Sequence, residues 1–185
     1  MKKPAIIVLS DAPIELARKI AALTEGAVHG LSKRASQADI WFEDTATHIR
    51  QLFEDGVPII GVMSSGAMIR LLAPVLHDKQ TEPAVLAVSE NGASVVPLLG
   101  GHHGANDLAR KIADAVQGHA AITTAGDLRF GVALDAPPEG YTLVNPEAAK
   151  DIMARLVAGE ACSLVGKADW LTTSGLPFSH DSAIQ

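Results

Sequence analysis

Cysteine is nearly absent. Cys162 stands alone among 185 residues, so the chain can form neither an internal disulfide framework nor a multi-cysteine zinc or iron–sulfur site. Aromatic rings are scarce too, at 4% of the chain. A protein that stacks bases needs such rings, and one that grips phosphates needs a basic patch. Here 15 Lys and Arg face 21 Asp and Glu, a net charge of −6, and no basic block occurs. Nucleic acid is therefore excluded as an expected partner. No apolar run approaches the ~20 residues of a membrane span, and the opening MKKPAIIVLSDAP is broken by Asp11 and Pro13 too early for a secretory signal. These absences predict a cytoplasmic protein without a membrane partner. What is present is 48% hydrophobic content, so Ala, Val, Leu and Ile must fill a core that a chain of this length can bury.

Short apolar runs alternate with segments of helical period. Ala5–Leu9, Ile40–Phe42, Val57–Val62, Ala84–Val88, Ser94–Leu99 and His119–Thr124 read as strands. Between them, Leu16, Ile20 and Leu23 line one helix face, Ile49, Leu52 and Phe53 a second, and Leu108, Ile112 and Val116 a third, with another helix over Ala67–Ala73. Asn91-Gly92 between two strand-like runs signals a hairpin. The pattern predicts an α/β fold, a layered Rossmann-like mixed sheet with helices packed on it, followed by a smaller α/β unit. The expected boundaries are 1–128 for the first domain, 129–171 for the smaller unit and 172–185 for a polar tail or linker. The smaller unit is read with strands at Thr142–Val144 and Cys162–Val165 and a helix opened by Asn145-Pro146.

Ligands of open α/β sheets bind beyond strand ends, where helix N-termini offer free amides. Three loops have that composition: Ser64-Ser65-Gly66, Gly100 to Asn106, and Thr123 to Asp127. They suit anionic oxygens, and Arg70, Lys79 and Arg110 can supply positive charge. Plainer roles are open for each. Ser64-Ser65 can simply cap a helix, Gly100-Gly101 can serve backbone shape, Thr123-Thr124 can end a strand, and Asp78-Lys79 can form a solvated turn. His102-His103 is not expected to bind metal, because adjacent side chains diverge and no partner recurs at ligand spacing. The glycines match neither the dinucleotide fingerprint nor the phosphate loop.

Four blocks carry more. They are Gly61-Val62-Met63-Ser64-Ser65-Gly66-Ala67-Met68-Ile69-Arg70-Leu71-Leu72-Ala73-Pro74, Asp78-Lys79-Gln80-Thr81-Glu82-Pro83-Ala84-Val85, Gly101-His102-His103-Gly104-Ala105-Asn106-Asp107-Leu108-Ala109, and Ala121-Ile122-Thr123-Thr124-Ala125-Gly126-Asp127. In this order and spacing they resemble the cobalamin-biosynthesis family CbiG, and a looser likeness continues to about Trp170. The resemblance implies cobalt-precorrin-5A hydrolase chemistry: water opens a δ-lactone on a corrinoid macrocycle, and a two-carbon fragment leaves as acetaldehyde. Cobalt then belongs to the substrate, and no resident cofactor is expected. By position, His102 becomes the candidate general base and Asn106 the residue that orients the acyl group. Ser64, Ser65, Gly66, Arg70, Lys79, Gly100, Gly101, Gly104, Thr123, Thr124 and Asp127 become substrate contacts. Two features depart from the family. Residues 102–106 read one glycine short, and full-length members carry a further C-terminal domain. The alternative is therefore a non-catalytic corrinoid-docking segment fused to a precorrin-3B C17-methyltransferase. On either reading, Met63, Gly100 and Thr123 are expected to begin turns that gather at one rim.

Overall fold

The computed structural model describes residues 2–79, 81–135, 137, 138, 140–179 and 182, the side chain of His102 excepted. The chain divides into two units, Met1–Ala121 and Ile122–Gln185.

In the first unit the strands are β1 (Ala5–Val8), β2 (Ala27–Leu31), β3 (Ile40–Phe42), β4 (Ile59–Val62), β5 (Val85–Val88), β6 (Ser94–Leu99) and β7 (His119–Ala120). The helices are α1 (Ile14–Thr24), α2 (Thr45–Glu54), α3 (Ser65–Leu72) and α4 (Ala105–Val116). The strands form one sheet in the order β3-β2-β1-β4-β5-β6-β7. β1 to β5 are mutually parallel, β6 is antiparallel to β5, and β7 runs with β6. The expected mixed α/β sheet is present, and the Asn91-Gly92 hairpin joins β5 to β6, with Gly92 at φ +73°.

The continuous apolar strands are explained by two cores. Ile6, Val8, Ile60, Val62, Leu86 and Val88 face α1 and α4, where Ala17, Ile20, Leu108 and Ile112 meet them. The alternate residues Ala5, Ile7, Ile59 and Val85 face α2 and α3, against Ile49, Phe53, Met68 and Leu72. A strand buried on both faces has no polar positions to alternate with.

Two expectations differ in this unit. β2 is absent from the sequence reading because His29 and Gly30 interrupt its apolar run. Its place beside β1 nevertheless buries Val28, His29 and Gly30. Gly30 is required there, since a Cβ would lie 2.7 Å from the Ala38 Cβ. The last strand is shorter than read, because β7 pairs with β6 over two residues only.

The second unit contains α5 (Ala125–Phe130), α6 (Pro146–Val157) and α7 (Asp169–Thr172) around Leu156, Cys162 and Leu176. Pro146 opens α6 as expected. The strand expected at Thr142–Val144 does not form, and the one expected at Cys162–Val165 is reduced to a single bridge between Cys162 and Phe178. Three β-formers without a partner strand gain little. Within the expected tail or linker, 172–185, the described residues include contacts with the second unit, and residues 180, 181 and 183–185 lie outside the described residues. Cys162 N–H donates to the Pro177 carbonyl at 2.9 Å, Gly175 N–H to Phe130 at 2.9 Å, and Leu176 is buried. The polar composition hid one well-placed leucine.

Candidate functional site

The carboxyl ends of β1 to β5 define one edge of the first unit's sheet, and β4 delivers Ser64 to it. The Ser64 backbone is extended (φ −65°, ψ 139°), its carbonyl accepts the Ala67 and Met68 amides, and its Oγ accepts Ala67 N–H at 3.4 Å. Ser64 thus caps α3, leaving Ser65 and Gly66 in the first turn. Arg70 Nη1 donates to the Gly66 carbonyl at 2.9 Å, which brings its charge back to that turn. Beside it opens a cleft of about 420 Å³ lined by Ser64, Ser65, Ser89, Glu90 and Ser94 over an apolar floor that includes Ala87.

The far wall of the cleft is a stiff turn. Ser89 N–H donates to the Ser94 carbonyl (3.0 Å), Ser94 N–H to Ser89 Oγ (2.9 Å), and Ala93 N–H to Asn91 Oδ1 (3.1 Å). Gly92 is buried against Val116, where a Cβ would approach to 3.3 Å. Glu90 projects from this turn and was not singled out in the sequence. Its signal, a carboxylate one residue before Asn-Gly at a strand end, is too common to notice without the cleft.

Gly100, Gly101, Gly104 and Asn106 lie elsewhere. β6 runs against β5, with Leu99 opposite Val85 and Val95 opposite Val88, so the chain leaves β6 at the amino edge of the sheet. Gly100 adopts φ +72°, and a Cβ would sit 2.5 Å from the Pro83 carbonyl oxygen. Its own carbonyl accepts both His103 N–H (2.8 Å) and Ala105 N–H (3.1 Å). Gly104, at φ +81°, then turns the chain into α4, whose Asn106 is buried. Lys79 is exposed in the connection that returns to β5 at this same edge. The His102 side chain lies outside the described residues.

The expectation of a single rim is therefore overturned for the first two loops. Ser64–Arg70 and Gly100–Asn106 stand at opposite edges because a hairpin reverses the sheet between them. Thr123, Thr124 and Asp127 belong to the second unit, where Thr124 precedes α5 and Asp127 lies in its first turn. The Leu128 amide donates to the Thr124 carbonyl at 3.1 Å.

The sequence reading also missed a histidine pair. His29 Nδ1 and His48 Nε2 lie 2.8 Å apart, and Phe42 stacks on His48 with ring centroids at 4.5 Å and planes at 9°. Burial, with a smaller contribution from His48, lowers the His29 pKa to about 4, and burial also depresses that of His48. Both rings are thus shifted toward the neutral form, and of the two facing nitrogens one donates and the other accepts. No signal for this pair was visible while β2 was unread. Among the described residues no group of three or more His, Cys, Asp and Glu could hold a metal ion, and no helix is long and apolar enough to cross a membrane.

Residues 47–127 match the family described as Cobalamin synthesis G N-terminal. Over this span the chain carries the N-terminal region of the CbiG family. It is 28% identical over 179 residues to a cobalt-precorrin-5A hydrolase of Priestia megaterium, covering 90% of this chain and 48% of the relative. A cobalt-precorrin-5A hydrolase of Salmonella typhimurium is 34% identical over 133 residues, covering 71% and 38% respectively. A solved structure of a cobalamin biosynthesis protein G homolog from Sulfolobus solfataricus aligns over 89% of this chain and 49% of that one, with 22% identity and a TM-score of 0.49. The chain thus spans about half the length of these curated relatives or less. The CbiG-matched span starts just before His48 and takes in the α3 cap, the Glu90 turn and the glycine loop.

Proposed function

We propose that this chain is a hydrolase module of corrinoid construction. It binds a cobalt-precorrin-5A-type macrocycle and opens its δ-lactone with water, and acetaldehyde is released. The observation that carries this reading is the 179-residue alignment with the Priestia megaterium hydrolase, which runs through both loop edges. The chemistry of the edges supports it. A macrocycle bearing many carboxylates is held by main-chain amides and dispersed cations, and α4 with Lys79 offers both at the amino edge. On this reading His102 and Asn106 stand with that carboxylate-holding set, and Ser64, Ser65, Gly66 and Arg70 form a second set. Thr123, Thr124 and Asp127, in the second unit, are proposed by themselves as substrate contacts. Cobalt arrives inside the substrate, no resident cofactor is needed, and the work is done in the cytoplasm.

The test is to incubate the purified chain with cobalt-precorrin-5A and trap acetaldehyde as a hydrazone beside a heat-denatured control. Aldehyde in step with a product lacking the two-carbon unit is expected. Macrocycle binding without aldehyde would reject catalysis by this chain and favour the docking segment of a fused methyltransferase.

A further inference from the structure

The hydrolase reading leaves open which edge receives the lactone, and the two cannot share one lactone because β6 separates them. We infer that the lactone is held in the cleft at the carboxyl edge and that Glu90 is the general base for the attacking water. This inference rests on the hydrolase reading and adds a place and a residue to it.

Three observations carry it. The first is the cleft itself, which at about 420 Å³ has room for one arm and one lactone ring of a larger ligand left mostly outside. The second is its polarity. Four serine hydroxyls and one carboxylate line it, with no Lys or Arg among the lining residues. A carboxylate ligand would meet the Glu90 charge. A neutral ester carbonyl would not, and it can accept from the hydroxyls of Ser64 and Ser65 and from the first-turn amides of α3. The third is preparation. Glu90 is exposed, and its carboxylate has no bonding partner among the described residues, yet hydrogen bonds of Ser89, Asn91 and Ser94 fix the backbone around it. A base that is free at its tip and rigid at its root suits proton abstraction.

The step balances as follows. A water oxygen bonds to the lactone carbonyl carbon as its proton passes to a Glu90 oxygen. The carbonyl oxygen carries negative charge toward Ser64, Ser65 and the α3 amides. When the tetrahedral centre collapses, the ring C–O bond breaks and the proton moves from Glu90 to the departing alkoxide, leaving a carboxylic acid and a hydroxyl group. Acetaldehyde then leaves from the opened form: the freed hydroxyl gives up its proton, the carbon–carbon bond joining the two-carbon unit to the macrocycle breaks, and the macrocycle keeps the electron pair and takes up a proton.

The experiment compares wild-type chain with Glu90→Gln, Glu90→Asp and His102→Gln on cobalt-precorrin-5A. Acetaldehyde release and macrocycle affinity are measured across pH. Glu90→Gln is expected to lower the rate by about 100-fold or more, the usual scale of general-base loss. It should leave affinity within about threefold, with partial recovery of the rate in Glu90→Asp. Wild-type rates in Glu90→Gln beside a collapse in His102→Gln would overturn the inference while the hydrolase reading stands. If the wild-type chain releases no aldehyde, the hydrolase reading fails, and amide shifts on adding the macrocycle decide the placement. Shifts at Ser64, Ser65 and Glu90 uphold the cleft as the ligand site; shifts confined to Gly100–Asn106, or none, overturn it.

Discussion

Gly100 and Gly104 look alike in the sequence but differ in what surrounds them. Both have positive φ, at +72° and +81°, but a Cβ at Gly100 would strike the backbone of Pro83 and Ala84, whereas nothing lies within 4 Å of one at Gly104. Left-handed backbone costs an alanine about 1–2 kcal/mol, and Gly100→Ala adds a steric collision that rigid backbone cannot relieve. Urea denaturation is expected to show Gly104→Ala destabilised by about 1 kcal/mol and Gly100→Ala by more than about 2 kcal/mol. Equal losses would mean that the Gly100 turn is looser than its hydrogen bonds imply. The sequence identified both glycines as loop-formers. The collision at Gly100 depends on residues 16 and 17 positions earlier, so it could not be read locally.

The histidine pair ties two elements, β2 and α2. Because folding depresses the His29 pKa from 6.5 to about 4, the unfolded chain binds the proton more readily as pH falls. The stabilisation is whole above about pH 6.5 and is lost as pH drops toward 4. Between pH 7 and pH 5 the loss from this group alone is about 2 kcal/mol. An NMR titration of the imidazole protons is expected to show His29 unprotonated down to about pH 5. A midpoint near 6.5 would mean that the ring is not buried as described. This same region sets the limit of the sequence reading. Elements with an uninterrupted period were legible, down to the Asn-Gly turn and the proline that opens α6. β2 was not, because its evidence is a neighbouring strand rather than a pattern. The candidate loops were legible as loops. Their arrangement was not, since a parallel or an antiparallel β6 would present the same residues in the same order.

For the molecule as a whole, the two cores differ in scale. Each face of the first unit's sheet buries its own extended cluster, whereas the second unit's apolar cluster is smaller and centres, among the described residues, on Leu156, Cys162 and Leu176. Units of this second size bury only about 60% of their chain surface. Residues 1–121 expressed alone are expected to unfold cooperatively in urea by circular dichroism, and residues 122–185 alone to show a broad, weak transition. A sharp transition in the smaller piece would contradict this account of its core.

The reversal at β6 also turns the fold into a ruler. Its six residues, Ser94–Leu99, span about 20 Å. An unpaired electron attached at Ser94 would broaden amide resonances around Ser64 and spare most of the intensity near Gly104. In the free chain one tag therefore tells the two edges of the sheet apart.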